Sequence, residues 1–190
     1  MNISLSNFLL DTINTREIKN VPDVYQMYFH LESGKEHYRL LIHLASCFNN
    51  VLIADIGTNY GASALALSQN QSNRVFSLDI VDLKKNDIGM QNVEFCLGDF
   101  RTDEKIQKTI LSSDVIFLDI DHLYENEIWL YKFLKEKNWK GHMFCDDIHF
   151  FEGMVRFWNE VEAKTDLTKY GHGSGTGYIA FGEPITFDLL

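Results

Sequence analysis

The sequence predicts an α/β fold in which a doubly wound sheet of five parallel strands ends in a C-terminal antiparallel hairpin. Three features of the 190 residues support this prediction. Short apolar runs alternate with helical patterns, and several of these runs end in a carboxylate. Each run is nearly continuous in apolar residues, as in strands that are buried on both faces. Near the C-terminus, two runs have only a glycine-rich turn between them, which leaves no room for a crossover helix.

The parallel part of the sheet is predicted from five runs and the helices between them. The runs are residues 51–55, 74–79, 93–97, 114–119 and 142–146. Helices are predicted at residues 62–68, 102–111, 124–137 and 151–164, and the short polar segment 81–91 is predicted to be a turn. An amphipathic helix leads into the first strand, because apolar residues recur at helical spacing at Leu41, Leu44, Ala45 and Phe48.

The two ends of the chain are less regular. A helix is predicted over residues 6–18, and Pro22 breaks the segment that follows. At the other end, strand-like residues 167–170 and 178–181 flank the glycine-rich turn 171–177 and predict the hairpin. This turn lacks the Gly-Lys-Ser/Thr pattern of a phosphate-binding loop. The sequence therefore leaves it either as a mobile hairpin turn or as a cover over substrate.

The junction between the first strand and its helix predicts a cofactor site. Asp55 ends the strand, Gly57 and Gly61 form a turn, and small residues then begin a helix. The start of a helix offers unpaired N–H groups, and glycine lets a ligand approach the backbone closely. Asp79 ends the second strand, where a carboxylate is placed to accept hydrogen bonds from ribose hydroxyls. These features predict an adenosine-containing cofactor at the carboxyl edge of the sheet.

The glycine spacing distinguishes between two kinds of cofactor. A nicotinamide dinucleotide favours Gly-x-Gly-x-x-Gly, whereas Gly57 and Gly61 have three other residues between them and no further glycine. This pattern resembles the first motif of the class I S-adenosylmethionine (SAM) methyltransferases, which have a Rossmann-like seven-stranded sheet. A dinucleotide site and a purely structural glycine turn stay open as alternatives.

The resemblance implies SAM as the cofactor and assigns residues to it. The loop after the first strand would receive the methionine part, and Asp79 would hold the ribose. Asp99 would contact the adenine amino group beside an apolar side chain, although an N-cap role for Asp99 is the alternative. The implied cofactor-binding residues are Asp55, Gly57, Tyr60, Gly61, Ser63, Asp79, Ile80, Gly98, Asp99 and Phe100.

Carboxylates concentrate where the fourth and fifth strands end. Burying several of them side by side is costly unless a cation or protons neutralise them. Asp119, Asp146 and Asp147 therefore predict an oxygen-rich metal site for Mg²⁺ or Mn²⁺. Over roughly residues 36–182 the sequence resembles the small metal-dependent O-methyltransferases of the catechol and natural-product sugar types, which implies the same three ligands. Helix capping by Asp121 or Asp147 stays open.

Histidine and aspartate after the fourth strand are the candidate catalytic pair. His122 is placed where a base would face the transferred methyl group, and a histidine suits proton abstraction near neutral pH. Asp119 would assist it, unless it only forms hydrogen bonds with the cofactor or a neighbouring loop. A capping or hydrogen-bonded role for His122 is the alternative. His149 and His172 are weaker candidates, and His142 is predicted to be structural because it starts a strand at the far edge.

Composition restricts the partners. The net charge of −10 argues against a nucleic acid, because phosphate binding needs a basic surface. No apolar run is long enough for a membrane, and the N-terminus lacks a signal-peptide pattern, so a cytoplasmic location without membrane partners is predicted. Cys96 and Cys145 lie in apolar runs and are predicted to be buried and reduced. The oligomeric state stays open, a homodimer included.

Together these features predict one methyltransferase domain over residues 1–190, with a helical or irregular extension at 1–35 and a SAM-binding core at 36–182. The predicted activity moves a methyl group from SAM to a hydroxyl oxygen of a small-molecule acceptor, with metal assistance as an option. Two alternatives stay open: a metal-dependent hydrolase that uses the Asp/His cluster, and a SAM-binding module without catalysis. The acceptor is not identified, because acceptor contacts come from variable loops.

Overall fold

The structure is a computed structural model that describes residues 1–30, 32–83 and 89–190. The strands in these ranges are β1 Asn2–Leu5, β2 Leu52–Ile56, β3 Arg74–Asp79, β4 Val93–Leu97, β5 Val115–Leu118, β6 Gly141–Asp146, β7 Lys164–Asp166, β8 Thr176–Phe181 and β9 Thr186–Leu189. The α-helices are α1 Asn7–Asp11, α2 Gln26–His30, α3 Glu32–Ser46, α4 Ala62–Leu67, α5 Glu104–Leu111, α6 Tyr124–Glu136 and α7 Glu152–Glu160. Short 3₁₀ turns cover Thr15–Glu17, Asp23–Tyr25 and Thr168–Tyr170.

A seven-stranded sheet with the order β4-β3-β2-β5-β6-β8-β7 forms the centre of the molecule. Strands β2 to β6 are parallel, and β8 runs antiparallel between β6 and β7. The predicted α/β fold of five parallel strands plus an antiparallel hairpin is therefore confirmed. Successive strands are added on one side of β2 as far as β4 and then on its other side from β5 onwards, so the strand order switches between β2 and β5. Ligands of open α/β sheets bind at such a switch point, outside the carboxyl ends of the strands.

Apolar side chains on both faces hold the sheet between two layers of helices. All four residues of β5 are buried, which accounts for its continuous apolar sequence. On one face, Phe117 belongs to a cluster with Leu41 of α3 and Leu65 of α4. On the other face, Ile116 belongs to a cluster with residues of α5, α6 and α7, among them Leu130. The predicted amphipathic helix before the first strand is thus confirmed in α3.

Three predicted elements differ from those in the structure: the first hairpin strand, the helix over 151–164 and the helix over 6–18. The first hairpin strand is Lys164–Asp166 rather than 167–170, because the chain turns into a 3₁₀ helix at Thr168–Tyr170 and α7 already ends at Glu160. The helix predicted over 6–18 is shorter, since α1 covers only five residues and the side chain of Asn14 then caps a separate 3₁₀ turn. Within the predicted turn at 81–91, residues 84–88 lie outside the described residues.

The N-terminal segment packs on the core and pairs with the C-terminus. Strand β1 is parallel to β9, and Ile3 and Leu5 of β1 are buried in the same cluster as α3 and α4. Strand β9 lies beyond residue 182, the predicted end of the core. Cys145 is buried as predicted, but Cys96 is half-buried because β4 is an edge strand. In the described ranges, no helix combines the length and apolar composition needed to cross a bilayer.

Candidate functional site

A cleft of about 740 Å³ opens at the carboxyl ends of the parallel strands. Residues of the loops after β2, β3, β4, β5 and β6 line it. Helix α3 and the chain before it contribute aromatic side chains, and the turn before β8 contributes a histidine. The cleft therefore lies at the switch in strand order between β2 and β5, the position that the strand-terminal carboxylates predict.

The loop after β2 packs closely against the end of β5. Gly57 has a φ of 109°, and a Cβ on it would lie 1.6 Å from the carbonyl oxygen of Asp119. The backbone N–H groups of Gly57 and Thr58 both donate to the carbonyl of Leu78 in β3. Glycine is required at position 57 because only it adopts this φ without strain and leaves space for the neighbouring backbone. Gly61, at the N-cap of α4, also has a left-handed φ, of 90°.

Asp55 does not line the cleft, and its carboxylate is instead linked to this loop through hydrogen bonds. It is fully buried, and its Oδ2 accepts a 2.6 Å hydrogen bond from Ser77, whose hydroxyl in turn lies 2.7 Å from that of Thr58. Burial raises the pKa of Asp55 to about 7, although hydrogen bonds from Ser77 and Ser63 act in the opposite direction. Tyr60 and Gly61 likewise lie outside the residues that line the cleft, whereas Gly57 and Ser63 line it.

Asp79 lies at the cleft with a rigidly held carboxylate. Its Oδ2 accepts a 2.7 Å hydrogen bond from the N–H of Asn59, and its Oδ1 accepts one of 3.0 Å from Val81. The adjoining Ile80 is 61% exposed and also lines the cleft. Each oxygen retains a free lone pair, so Asp79 is able to accept further hydrogen bonds from a ligand's hydroxyl groups.

The loop after β4 brings Gly98, Asp99 and Phe100 to the cleft. Asp99 is paired with Arg101, whose Nη2 lies 3.0 Å from Oδ2. Hydrogen bonds from Arg101 hold the pKa of Asp99 below its ordinary value. The alternative N-cap role for Asp99 is wrong, because the side chain that caps α5 is that of Asp103.

His122 lies among carboxylates at the end of β5. Its Nε2 is 3.5 Å from Oδ1 of Asp119 and 3.4 Å from Oδ2 of Asp147, while its Nδ1 faces Oε1 of Glu127 at 3.9 Å. The ring stacks on Phe151 with an interplanar angle of 15°. His122 has a φ of 58°, which turns the chain sharply after β5. The predicted catalytic pair, His122 and Asp119, is thus brought together at the cleft.

A second group of polar side chains consists of Asp146 at the end of β6, His37 of α3 and His172 of the turn before β8. Nε2 of His172 lies 2.7 Å from Oδ1 of Asp146, and Nδ1 of His37 lies 3.7 Å from the same oxygen. Burial acts to raise the pKa of Asp146, but His37 and the hydrogen bond with His172 outweigh it and hold that pKa below its ordinary value. Burial lowers the pKa of His37. By contrast, partial burial and then the carboxylates of Asp146 and Asp147 raise the pKa of Asp119 well above its ordinary value.

The N-terminal third supplies cleft residues that sequence reasoning missed. Tyr25, Tyr28, His37 and Tyr38 all line the cleft. The Tyr25 hydroxyl accepts a hydrogen bond from Asn59, and burial raises the pKa of Tyr25 to about 12. A signal for His37 was present in the sequence, because it falls four residues before Leu41 on the buried stripe of α3. Tyr38 lies three residues before Leu41 on the same stripe, whereas no comparable pattern marks Tyr25 and Tyr28.

The three carboxylates of the predicted metal site line the same cleft but have different neighbours. Asp119 and Asp147 face His122, whereas Asp146 faces His37 and His172. Within the described residues, the His, Cys, Asp and Glu ligand atoms that all lie within 4.8 Å of one another belong to His37, Asp146 and His172. The Mg²⁺ site at Asp119, Asp146 and Asp147 stays a prediction.

No family model and no curated protein matches the sequence. Among solved structures, the SAH-bound methyltransferase PaMTH1 of Podospora anserina is similar over 96% of this chain and 99% of its own, with 13% identity and a TM-score of 0.55. The O-methyltransferase from Bacillus cereus in complex with SAH is similar over 92% of this chain and 90% of its own, with 18% identity and a TM-score of 0.56.

The likeness extends over nearly the whole chain in both cases. The chain has the class I methyltransferase fold. An RNA methyltransferase from Salinibacter ruber in complex with S-adenosyl-L-homocysteine shares this fold over 78% of the chain, with 19% identity and a TM-score of 0.54. The class I methyltransferase fold therefore accommodates different acceptors, so the acceptor has to be argued from the site itself.

Proposed function

We propose that the chain is a SAM-dependent methyltransferase that transfers the methyl group to a hydroxyl oxygen of a small acceptor. The observation that carries the proposal is that one cleft is lined both by Gly57, Asp79 and Gly98 and by Asp119 and His122. Its volume of about 740 Å³ falls in the range of small-molecule sites. A cofactor and a small acceptor would then meet in one partly enclosed space.

The residues on the cofactor side fit SAM. Asp79 offers acceptor oxygens for ribose hydroxyls, and its position is fixed by two backbone hydrogen bonds. Phe100 and Ile120 provide apolar surface for an adenine ring, and Gly57 brings backbone close to the place where the methionine part would lie. Because Arg101 already occupies the carboxylate of Asp99, a contact between Asp99 and adenine competes with that ion pair.

The residues on the acceptor side fit proton removal. When bound, SAM supplies an electrophilic methyl group on a sulfonium sulfur. Nε2 of His122 would take the proton from the acceptor hydroxyl, and the carboxylate of Asp119 at 3.5 Å would stabilise the imidazolium that forms. The acceptor oxygen would form the new bond to carbon as the carbon–sulfur bond breaks. The walls of the cleft would position the reactants and exclude water.

Charge favours a small acceptor over a nucleic acid. The chain carries −10, and the cleft is lined by Asp79, Asp119, Asp121, Asp146 and Asp147. Nucleic-acid phosphates would be repelled by this surface. A cytoplasmic location remains a prediction from the sequence.

A direct test is to identify the ligand that co-purifies with the chain by mass spectrometry and to titrate S-adenosylhomocysteine by calorimetry. We expect SAM or its demethylated product and a one-to-one complex. Transfer of labelled methyl groups is then assayed on mixtures of small hydroxylated compounds and, separately, on RNA. Binding without transfer to any acceptor would favour a non-catalytic module. The absence of binding, together with Mn²⁺-dependent hydrolysis of a model phosphoester, would favour the hydrolase.

A further inference from the structure

We infer that His37, Asp146 and His172 form a binding site for a divalent transition-metal ion. The three residues come from α3, the end of β6 and the turn before β8, so the fold alone assembles them. Their ligand atoms all lie within 4.8 Å of one another. In a tetrahedral site with bonds of about 2.0–2.1 Å, neighbouring ligand atoms are roughly 3.3 Å apart. The observed separations from Asp146 Oδ1, 2.7 Å to His172 and 3.7 Å to His37, lie on either side of that value.

His37 supplies an independent indication of a ligand. It is only 7% exposed, and its Nδ1 has no hydrogen-bond partner among the residues that the structure describes. That atom points towards Asp146, at a distance too long for a hydrogen bond. Leaving a buried polar atom unpaired destabilises the fold. A metal ion between the two side chains would give Nδ1 a partner.

His172 is oriented as metal-binding histidines are. Its Nε2 faces Asp146, and its Nδ1 is hydrogen-bonded to the hydroxyl of Ser174. In metal sites, the second ring nitrogen usually donates a hydrogen bond that fixes the tautomer and the ring orientation. The ring is also held at 81° to that of His37, with the centroids 4.5 Å apart. The two imidazoles are therefore directed at the same carboxylate from different sides.

The donor set determines which ion fits. Two imidazole nitrogens and one carboxylate oxygen suit Zn²⁺, Fe²⁺, Co²⁺ or Ni²⁺, whereas Mg²⁺ prefers oxygen ligands alone. This differs from the Mg²⁺ site predicted at Asp119, Asp146 and Asp147, with which the proposed site shares one carboxylate. All three ligands line the cleft, so three protein ligands would leave coordination positions open towards it.

The test uses the 190-residue chain, stripped with EDTA and dialysed. Co²⁺ is titrated and followed by its visible absorption, Zn²⁺ is titrated by calorimetry, and Mg²⁺ is run in parallel. We expect one equivalent of Co²⁺ or Zn²⁺ to bind, with affinity at least about tenfold lower in His172→Asn and in His37→Ala. His149→Asn is the matched control, because His149 is an exposed histidine paired with Asp166 outside the cluster. Circular dichroism of each variant verifies the fold. If His37→Ala fails to fold, the metal affinity of His172→Asn decides the test.

Two results would overturn the inference. One is the absence of any spectral change at millimolar Co²⁺ in the parent chain. The other is metal binding that His172→Asn leaves unchanged but Asp119→Asn abolishes, which would place the ion among the carboxylates instead. The site does not depend on the proposed methyl transfer. S-adenosylhomocysteine affinity measured on the same preparations separates a failure of one from a failure of the other.

Discussion

Gly57 and Asp119 approach each other so closely that a single added carbon on Gly57 would overlap the backbone of Asp119, at 1.6 Å from its carbonyl oxygen. Gly57 follows β2 and Asp119 follows β5, the two neighbouring strands between which the strand order switches. The contact ties the proposed cofactor loop to the proposed catalytic residues. A change at either residue is therefore expected to affect both sides of the cleft.

Gly57→Ala should destabilise the chain and weaken S-adenosylhomocysteine binding. The alanine has to adopt a φ of 109° and displace the end of β5, and backbone strain of this kind costs of order 1–3 kcal/mol. Chemical denaturation and calorimetry measure the two effects. Gly173→Ala is the control, because a Cβ there meets nothing within 4 Å. Equal stability and affinity in the two variants would contradict the close contact.

Asp79→Ala should weaken S-adenosylhomocysteine binding by about 1.5–3 kcal/mol, the scale of a hydrogen bond to a charged group. The reason is the loss of the carboxylate that faces the cleft at the end of β3. Calorimetry measures the affinity. Asp82→Ala removes an exposed carboxylate three residues away that does not line the cleft, and should bind as the parent does. If the Asp79 variant retains parental affinity, this residue does not hold the ribose.

His122→Asn should lower kcat by about 10²–10⁴-fold, the usual contribution of a general base, and leave S-adenosylhomocysteine affinity nearly unchanged. Asparagine is chosen because it tolerates the left-handed φ of 58° at this position. Initial rates with an identified acceptor provide the measurement, and His149→Asn serves as the control. Parental turnover in His122→Asn would show that another group removes the proton.

Glu127→Gln should change how stability depends on pH. Burial first, and then the charge of Asp121, raise the pKa of Glu127 to about 8, above the value of about 4.3 in an unfolded chain. The folded state binds the proton on Glu127 more tightly than the unfolded state does, so protonation of Glu127 stabilises the fold. This stabilisation is complete below about pH 4 and is lost as pH rises through 8.

Between those limits, the stability of the parent should fall relative to Glu127→Gln by up to about 1.4 kcal/mol per pH unit. Urea denaturation from pH 4 to 9 measures the difference. Glu125→Gln, on the same turn of α6 but exposed, is the control and should run parallel to the parent. A Glu127→Gln curve that also runs parallel to the parent would mean that Glu127 titrates as an ordinary glutamate.

Local sequence predicted the strands of the sheet well because burial on both faces leaves a recognisable pattern within each strand. The apolar runs that became β2, β3, β5 and β6 are buried on both faces, and burial of that kind produces a continuous apolar pattern. Prediction was poorer at the ends of the chain. β1 and β9 stabilise each other across the whole sequence, and neither is marked by a turn or a repeat.

The sequence by itself determined the five parallel strands, the hairpin and the arrival of Gly57, Asp79 and Asp119 at one edge. These follow from strand direction and from the residue at each strand end, which are local properties. Only the tertiary structure decided that Asp55 is linked to the loop through hydrogen bonds, that Arg101 pairs with Asp99 and that His37 reaches Asp146. The local apolar period identifies the face of α3 that packs on the sheet, but the position of α3 along the sheet and the conformations of the connecting loops set these contacts, and both depend on residues far apart in the sequence.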